Sequence, residues 1–136
     1  MPYTPEEMFA LVSDIESYPK FLPWCRYTEI HSEGDGELHA TIEMAKAGVH
    51  KAFSTRNRFE HGKSIEMHLV EGPFKRLDGT WRFDALGDEG CKVSLDMKFE
   101  FDSRTLSAVV GPVFSQIANS LIDAFQKRAV EIYGKR

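Results

Sequence analysis

Residues 92–101, KVSLDMKFEF, alternate without a break: Val93, Leu95, Met97, Phe99 and Phe101 fall on one side, Lys92, Ser94, Asp96, Lys98 and Glu100 on the other. A sustained period of two describes a β-strand with one dry and one wet face. Directly after it the period turns helical. Ser103 is placed to cap, and Leu106, Val110, Val113, Phe114, Ile117, Leu121 and Phe125 form one broad apolar stripe, with Ser115, Asn119 and Gln126 on the other side. Lys127 and Arg128 in the closing turns complement the helix dipole, and Gly134 is a natural terminator. A strand with one dry face followed by a helix with one dry stripe is stable only if the stripe covers the sheet.

The same alternation runs through ELHATIEM, where Leu38, Ala40, Ile42 and Met44 oppose Glu37, His39, Thr41 and Glu43. HKAFSTRNRFEH, SIEMHLV and RLDGTWRFDAL read as further strands, punctuated by GDG, HGK, EGP and GDEG. About six strands between Trp24 and Asp102, joined by short turns, predict an antiparallel meander. Ahead of them lies a helix. Thr4 can cap it, Pro5 suits its first position, Glu7 completes a capping box, and Met8, Leu11, Val12 and Ile15 share one face. Pro19 and Pro23 then stop regular helix, leaving at most a short turn around residues 17–21. Gly111 and Pro112 are expected to kink or interrupt the first turns of the last helix. The order helix, strands, long helix makes this an α+β chain, one domain over residues 1–136.

Composition narrows the function classes. There is no unbroken apolar run of the length that a membrane span needs, and MPYTPEEMF lacks the basic and apolar regions of a secretory signal, so a cytoplasmic protein is expected. Cys25 and Cys91 lie far apart, outside any metal-ligand or CxxC spacing, and are expected as buried thiols. The net charge of −4 gives no global attraction to nucleic acid or anionic lipid, and no DNA partner is expected. His31, His39, His50, His61 and His68 are scattered through strands without ligand spacing, and no nucleophile elbow or phosphate-cradling loop is present. The carboxylates fall almost entirely on outward positions, and no acid–base pair can be assigned. Arg128 and Glu131 fall close to the core stripe, where they either pair partly buried or Arg128 lays its stem on the core and reaches outward.

Three blocks, PYTPEEMFALVSDIESYPKFLPWC, EGPFKRLDGTWRF and SQIANSLIDAFQKRAVEIYG, resemble the helix-grip, START-like proteins grouped as the coenzyme Q-binding protein and ribosome association toxin family, within the polyketide cyclase-like superfamily. The resemblance runs from Pro2 to Gly134. It implies a curved antiparallel sheet wrapped around the long C-terminal helix, with short N-terminal helices. The family carries a strand ahead of the PY dipeptide, and with one residue before Pro2 either the true start lies further upstream or the sheet lacks that edge strand.

The resemblance also implies a cavity between the concave sheet face and the last helix, suited to a large apolar ligand such as ubiquinone or another isoprenoid quinone or lipid. Phe74, Trp81, Phe83, Met97 and Phe99 from the strands, with Val110, Phe114, Ile117 and Leu121 from the helix, are the expected lining. Taken alone, such an aromatic and methionine-rich face is equally the composition of a filled core. The loop SYPKFLPWC would lie beside the helix, with Phe21, Leu22 and Trp24 either a flap over the cavity mouth or a plug in one end of the core. No obligatory cofactor is expected.

Two functions follow from the family. One is a non-enzymatic carrier or chaperone for a quinone or lipid, supporting respiratory electron transfer, with peripheral contact at the inner face of the cytoplasmic membrane. The other is attachment to the large ribosomal subunit that blocks subunit association, for which Arg56 and Arg58 on one strand, with Lys75 and Arg76 on the next turn, are the candidate phosphate contacts. A solvated sheet face accounts for these four cations equally well. The acidic total charge favours the first function on sequence.

Overall fold

A computed structural model describes all residues, 1–136. Helix α1 (Pro5–Ser13) and a 3₁₀ helix (Ile15–Lys20) precede six strands: β1 (Cys25–Gly34), β2 (Glu37–Lys46), β3 (Val49–Glu60), β4 (Ser64–Glu71), β5 (Phe74–Leu86) and β6 (Gly90–Phe101). Helix α2 (Arg104–Tyr133) closes the chain. The strands pair in sequence order, each antiparallel to the next, with β1 and β6 at the two edges. The expected six-stranded meander is therefore the observed sheet. At its β6 edge the Met1 amine donates to the Cys91 carbonyl and the Cys91 N–H donates to the Met1 carbonyl, both at 3.0 Å, so one extended residue takes the neighbouring strand position.

The capping box forms as the residue types require. Glu7 N–H donates to Thr4 Oγ1 at 3.2 Å, and Thr4 N–H donates to Glu7 Oε1 at 2.9 Å. Met8, Val12 and Ile15 are buried as their spacing predicts, and Phe9 is buried beside them. Ser103 caps α2 through its hydroxyl, which accepts from Leu106 N–H at 3.1 Å. Of the expected kink or interruption at Gly111 and Pro112, the interruption does not occur: α2 runs continuously through both. Pro112 removes the donor that would meet the Ala108 carbonyl, but Ala108 is exposed, so water can meet that oxygen instead. By length and mean hydropathy α2 is long and apolar enough to cross a bilayer; here Val110, Phe114, Ile117, Phe125 and Ala129 are buried in the protein core.

Two aromatic anchors fix α2 on the sheet. Phe114 sits among Phe99, Phe74, Phe53 and Phe101, with ring centroids 4.8, 5.0, 6.1 and 6.1 Å away. Phe125 meets Phe21, Tyr18 and Trp81 at 5.4, 5.5 and 5.5 Å. Gly72, in the β4–β5 turn, makes room for the first cluster, since a Cβ there would stand 2.7 Å from Phe53 Cβ.

The chain ends are tied together. Arg136 holds Glu7 with a bidentate pair at 2.6 and 2.7 Å, Tyr133 Oη donates to the Glu7 carbonyl at 3.0 Å, and Tyr3 Oη donates to the Gly134 carbonyl at 2.7 Å. The Arg136 guanidinium, with the Thr4 N–H second, lowers the Glu7 pKa from the ordinary 4.5 to about 2. A depressed carboxylate pKa contributes stability above its unfolded value and loses it as the pH falls through the folded one. Arg136→Ala should therefore lower stability most at neutral pH, by a small amount because the pair is partly exposed, and the difference from wild type should shrink as the pH falls from 4.5 towards about 2. Urea denaturation at a series of pH values reads this; a difference that grows in acid would contradict the assignment.

Candidate functional site

Between the two aromatic anchors, 11 residues or about 16 Å apart along α2, the helix presents Ile117 and Leu121 to the sheet. There the packing leaves a cavity of about 70 Å³. Ile42 and Met44 of β2, Phe53 of β3, Met67 of β4, Leu77 and Trp81 of β5 and Met97 of β6 form its floor. Phe114, Ile117, Leu121 and Phe125 form the roof, and Ile15, Tyr18 and Trp24 close one end. Thr55 and Asn57 of β3 complete the wall and are its polar exceptions.

Six of the twelve expected ligand contacts line this space: Trp24, Trp81, Met97, Phe114, Ile117 and Leu121. The other six surround it. Phe74 and Phe99 belong to the Phe114 cluster, and Val110 and Leu22 are fully buried away from the void. Phe83 stacks on Trp81 and turns its edge to Phe9 of α1, 5.7 Å away, because the far end of β5 is covered by α1 rather than α2. Phe21 lies over Phe125 and beneath the Arg128 guanidinium, whose Cζ is 4.9 Å from the ring centroid. Arg128 also reaches Glu131 at 3.7 Å, so it both covers the core and pairs. The SYPKFLPWC segment is thus ordered by its own bonds: Tyr18 Oη donates to the Val12 carbonyl, Leu22 N–H to Tyr18 O at 2.9 Å, and Cys25 N–H to Leu22 O at 2.9 Å.

Thr55 and Asn57 did not stand out in sequence. The signal was present, since counting by two from Phe53 to Phe59 puts both on the concave face and Arg56 and Arg58 on the convex one. They are 5% and 4% exposed, and Thr55 Oγ1 donates to Asn57 Oδ1 at 2.8 Å. The Trp24 indole N–H is buried without any acceptor. Tyr18 is the one ionisable residue in the lining. Burial, followed by nearby Cys25 and Asp14, pushes its pKa above the ordinary phenol range, and its hydroxyl is already committed. Acid–base chemistry in this cavity has no second group to work with. Burial likewise pushes the Cys25 thiol up to about 11 and raises Cys91, leaving both protonated near neutrality.

The convex face is a lattice of opposite charges. Arg58 pairs with Glu37 at 3.6 Å, and Arg76 donates to Asp78 at 2.9 Å. Arg56 stands in register between His39 on β2 and His68 on β4, with no carboxylate paired to it. Lys75 is exposed and is likewise outside the observed ion pairs. Of the four candidate RNA contacts, two are therefore neutralised by neighbours and two retain a free charge.

The profile described as polyketide cyclase/dehydrase and lipid transport matches residues 1–126. The chain belongs to that family. Within the family it is 42% identical over 134 residues to the ribosome association toxin RatA of Pseudomonas aeruginosa, covering 98% of this chain and 93% of the relative. It is 26% identical to the mitochondrial coenzyme Q-binding protein COQ10 homolog B of Xenopus laevis, covering 96% of this chain and 55% of that one. Among solved structures, the 18 kDa protein CC1736 of Caulobacter crescentus superposes with a TM-score of 0.77 at 34% identity, covering 99% and 94% of the two chains. The Zhui aromatase/cyclase of Streptomyces sp. R1128 gives 0.82 at 18% identity over 99% and 93%, which shows the shared START-like fold.

Truncating an anchor should expose the packing described. Phe114→Ala should lower stability by about 3–5 kcal/mol, measured by urea denaturation; a loss under about 1 kcal/mol would mean the ring is not the seat of α2. Cys25 and Cys91 should react with a thiol reagent only as fast as the native chain opens, and immediate modification at neutral pH would contradict their burial.

Proposed function

We propose that this chain acts on ribosome association, binding the large subunit non-enzymatically so that the two subunits do not join. The observation that carries this reading is the end-to-end similarity, at 42% identity, to a protein named a ribosome association toxin. The non-enzymatic part is supported by the cavity, whose lining offers Tyr18 alone as an ionisable group. We infer a cytoplasmic site of action, because that is where subunits meet. Phosphate contacts are assigned to Arg56 on the convex face and to Lys75 at the start of β5 beside the first turns of α2, the candidate cations that no carboxylate pairs with, flanked by Arg58 and Arg76.

A second reading, an apolar ligand such as a quinone or lipid held between sheet and α2, ranks first on sequence and second on structure. An isoprenoid quinone needs far more room than about 70 Å³, since ligand sites commonly run to roughly 300–1,000 Å³. What favours it is the lining itself, apolar throughout except for an Asn–Thr pair and an unpartnered indole N–H. A role in respiratory electron transfer at the membrane surface belongs to this reading.

Sucrose-gradient sedimentation of purified subunits tests the first reading. Added protein should reduce the joined-ribosome peak and sediment with the large subunit, more weakly as salt rises, because phosphate contacts release counterions. Arg56→Glu combined with Lys75→Glu should abolish co-sedimentation while leaving the circular dichroism spectrum unchanged. A joined peak unaffected by a large molar excess of the wild-type chain would overturn the proposal, and an unaffected double variant would remove the assigned face.

A further inference from the structure

Three of the five histidines of this chain gather around Arg56 on the convex face. Strand register sets His39 of β2 opposite Arg56 of β3, Arg56 opposite His68 of β4, and His68 opposite Asp78 of β5. A bulge in β1 between Ile30 and Ser32 brings His31 to the same row, its ring centroid 4.8 Å from that of His39. Cross-strand neighbours have Cβ atoms about 5 Å apart, so a group seated on the Arg56 guanidinium also meets the imidazoles on either side. The row is His31, His39, Arg56, His68, across four adjacent strands.

Within the row Arg56 is the single fixed cation, and the charges around it are mostly carboxylates. Glu33, Asp35 and Glu37 share a depression with His39 and Arg56, and Glu37 is taken by Arg58 at 3.6 Å. His31 Nε2 meets Thr41 Oγ1 at 2.6 Å, with Glu29 of β1 opposite Thr41. His68 has Asp78 3.2 Å from its Nδ1 and Glu66 3.9 Å from its Nε2; Asp78 also accepts from Arg76 at 2.9 Å and faces Lys98 of β6. His39 has no carboxylate within ion-pair distance, so it is the imidazole freest to turn to a ligand beside Arg56. A neutral imidazole offers one N–H and one lone pair, whereas a protonated one offers two N–H donors and a positive charge. Histidine is the side chain whose charge ordinarily changes between pH 5 and 8. Each proton added to the row turns an acceptor edge into a donor beside Arg56 and lessens the net charge of −4.

We propose that His31, His39, Arg56 and His68 form one phosphate-binding row that takes up protons as it engages RNA backbone, so that attachment to the large subunit strengthens on acidification; this rests on the ribosome-association reading above. A phosphate beside the row favours the charged imidazole, so the complex holds protons more tightly than the free chain does. By linkage, affinity rises as the pH falls through the histidine range and declines above it. His39 and Arg56 make the central contact, with His31 stacked behind His39 and His68 shared between the phosphate and its own carboxylates. An acidic chain thereby acquires a cationic patch only where and when its histidines are protonated.

Co-sedimentation of the full chain with purified large subunits over a concentration series, at pH 6 and pH 8 with the salt held constant, gives the affinity in each protonation regime. The wild-type chain should bind at least about fivefold tighter at pH 6 than at pH 8. His31→Gln with His39→Gln and His68→Gln removes the protonatable groups of the row and leaves His50 and His61 in place; its ratio should fall below about twofold. Should that variant fail to fold by circular dichroism, His39→Gln alone should show a reduced ratio. His39→Arg, which fixes a charge beside Arg56, should bind more tightly than wild type at pH 8. Equal wild-type affinity at the two pH values would overturn the proposal and leave ribosome association standing. A ratio unchanged in the triple variant, or in His39→Gln if that is the variant that folds, would overturn it as well, since the protons would then be taken up elsewhere. Absence of binding at both pH values would overturn the ribosome-association reading and the proposal with it.

Discussion

The seating of Phe114 in its ring of four phenylalanines is the contact on which the rest of this molecule depends. Six consecutive antiparallel strands produce one dry face, and a single helix must cover it. Phe114 fixes one end of α2 against β3, β5 and β6, and Phe125 fixes the other against the 3₁₀ helix, the following loop and β5. Bulk is concentrated at those two points. Between them Ile117 and Leu121 line the cavity opposite Met67 and Met97, whose methyl ends close over Gly79. The cavity thus lies between the two points where the helix is anchored, with Met67 and Met97 on its floor.

Most of the fold was legible because period decides it. The alternation of residues 92–101 is observed as β6, the capping box at Thr4 and Glu7 is observed as the start of α1, and Ser103 caps α2. Pro112 does not interrupt α2, because tertiary contacts hold the helix on either side of it at Val110 and Phe114, both buried. The site was half legible. Hydrophobicity found the aromatic wall, but it assigned Phe83 to α2, where only the position of α1 shows otherwise. It passed over Thr55 and Asn57, which are polar and so read as surface until their parity on β3 is counted. Arg58 and Arg76 read as free cations because their partners, Glu37 and Asp78, come into place through strand register and side-chain direction.

Two faces of one sheet therefore carry separate chemistries. On β3 the alternation Thr55, Arg56, Asn57, Arg58 sends neutral hydrogen-bonding groups inward and cations outward. A polyanion could meet the convex side without disturbing the interior, and a small molecule could enlarge the interior without altering the convex charge lattice. The net charge of −4 opposes long-range attraction to RNA, so any subunit contact must rely on local geometry, with Arg56 between two histidines as its least neutralised point. The 42% identical relative is named a ribosome association toxin, whereas the family is described by polyketide cyclisation and lipid transport; the shared START-like fold accounts for the cavity and does not by itself name its contents.

Amide hydrogen exchange of the chain with and without purified large ribosomal subunits tests the central claim most directly, because it reports binding and its location together. Slowed exchange is expected in β2, β3 and β4 around Arg56 and at the start of β5 around Lys75, with residues 117–125 of α2 unchanged. Exchange identical in the presence and absence of saturating subunits would contradict ribosome association, and protection confined to α2 would contradict the face assigned to it.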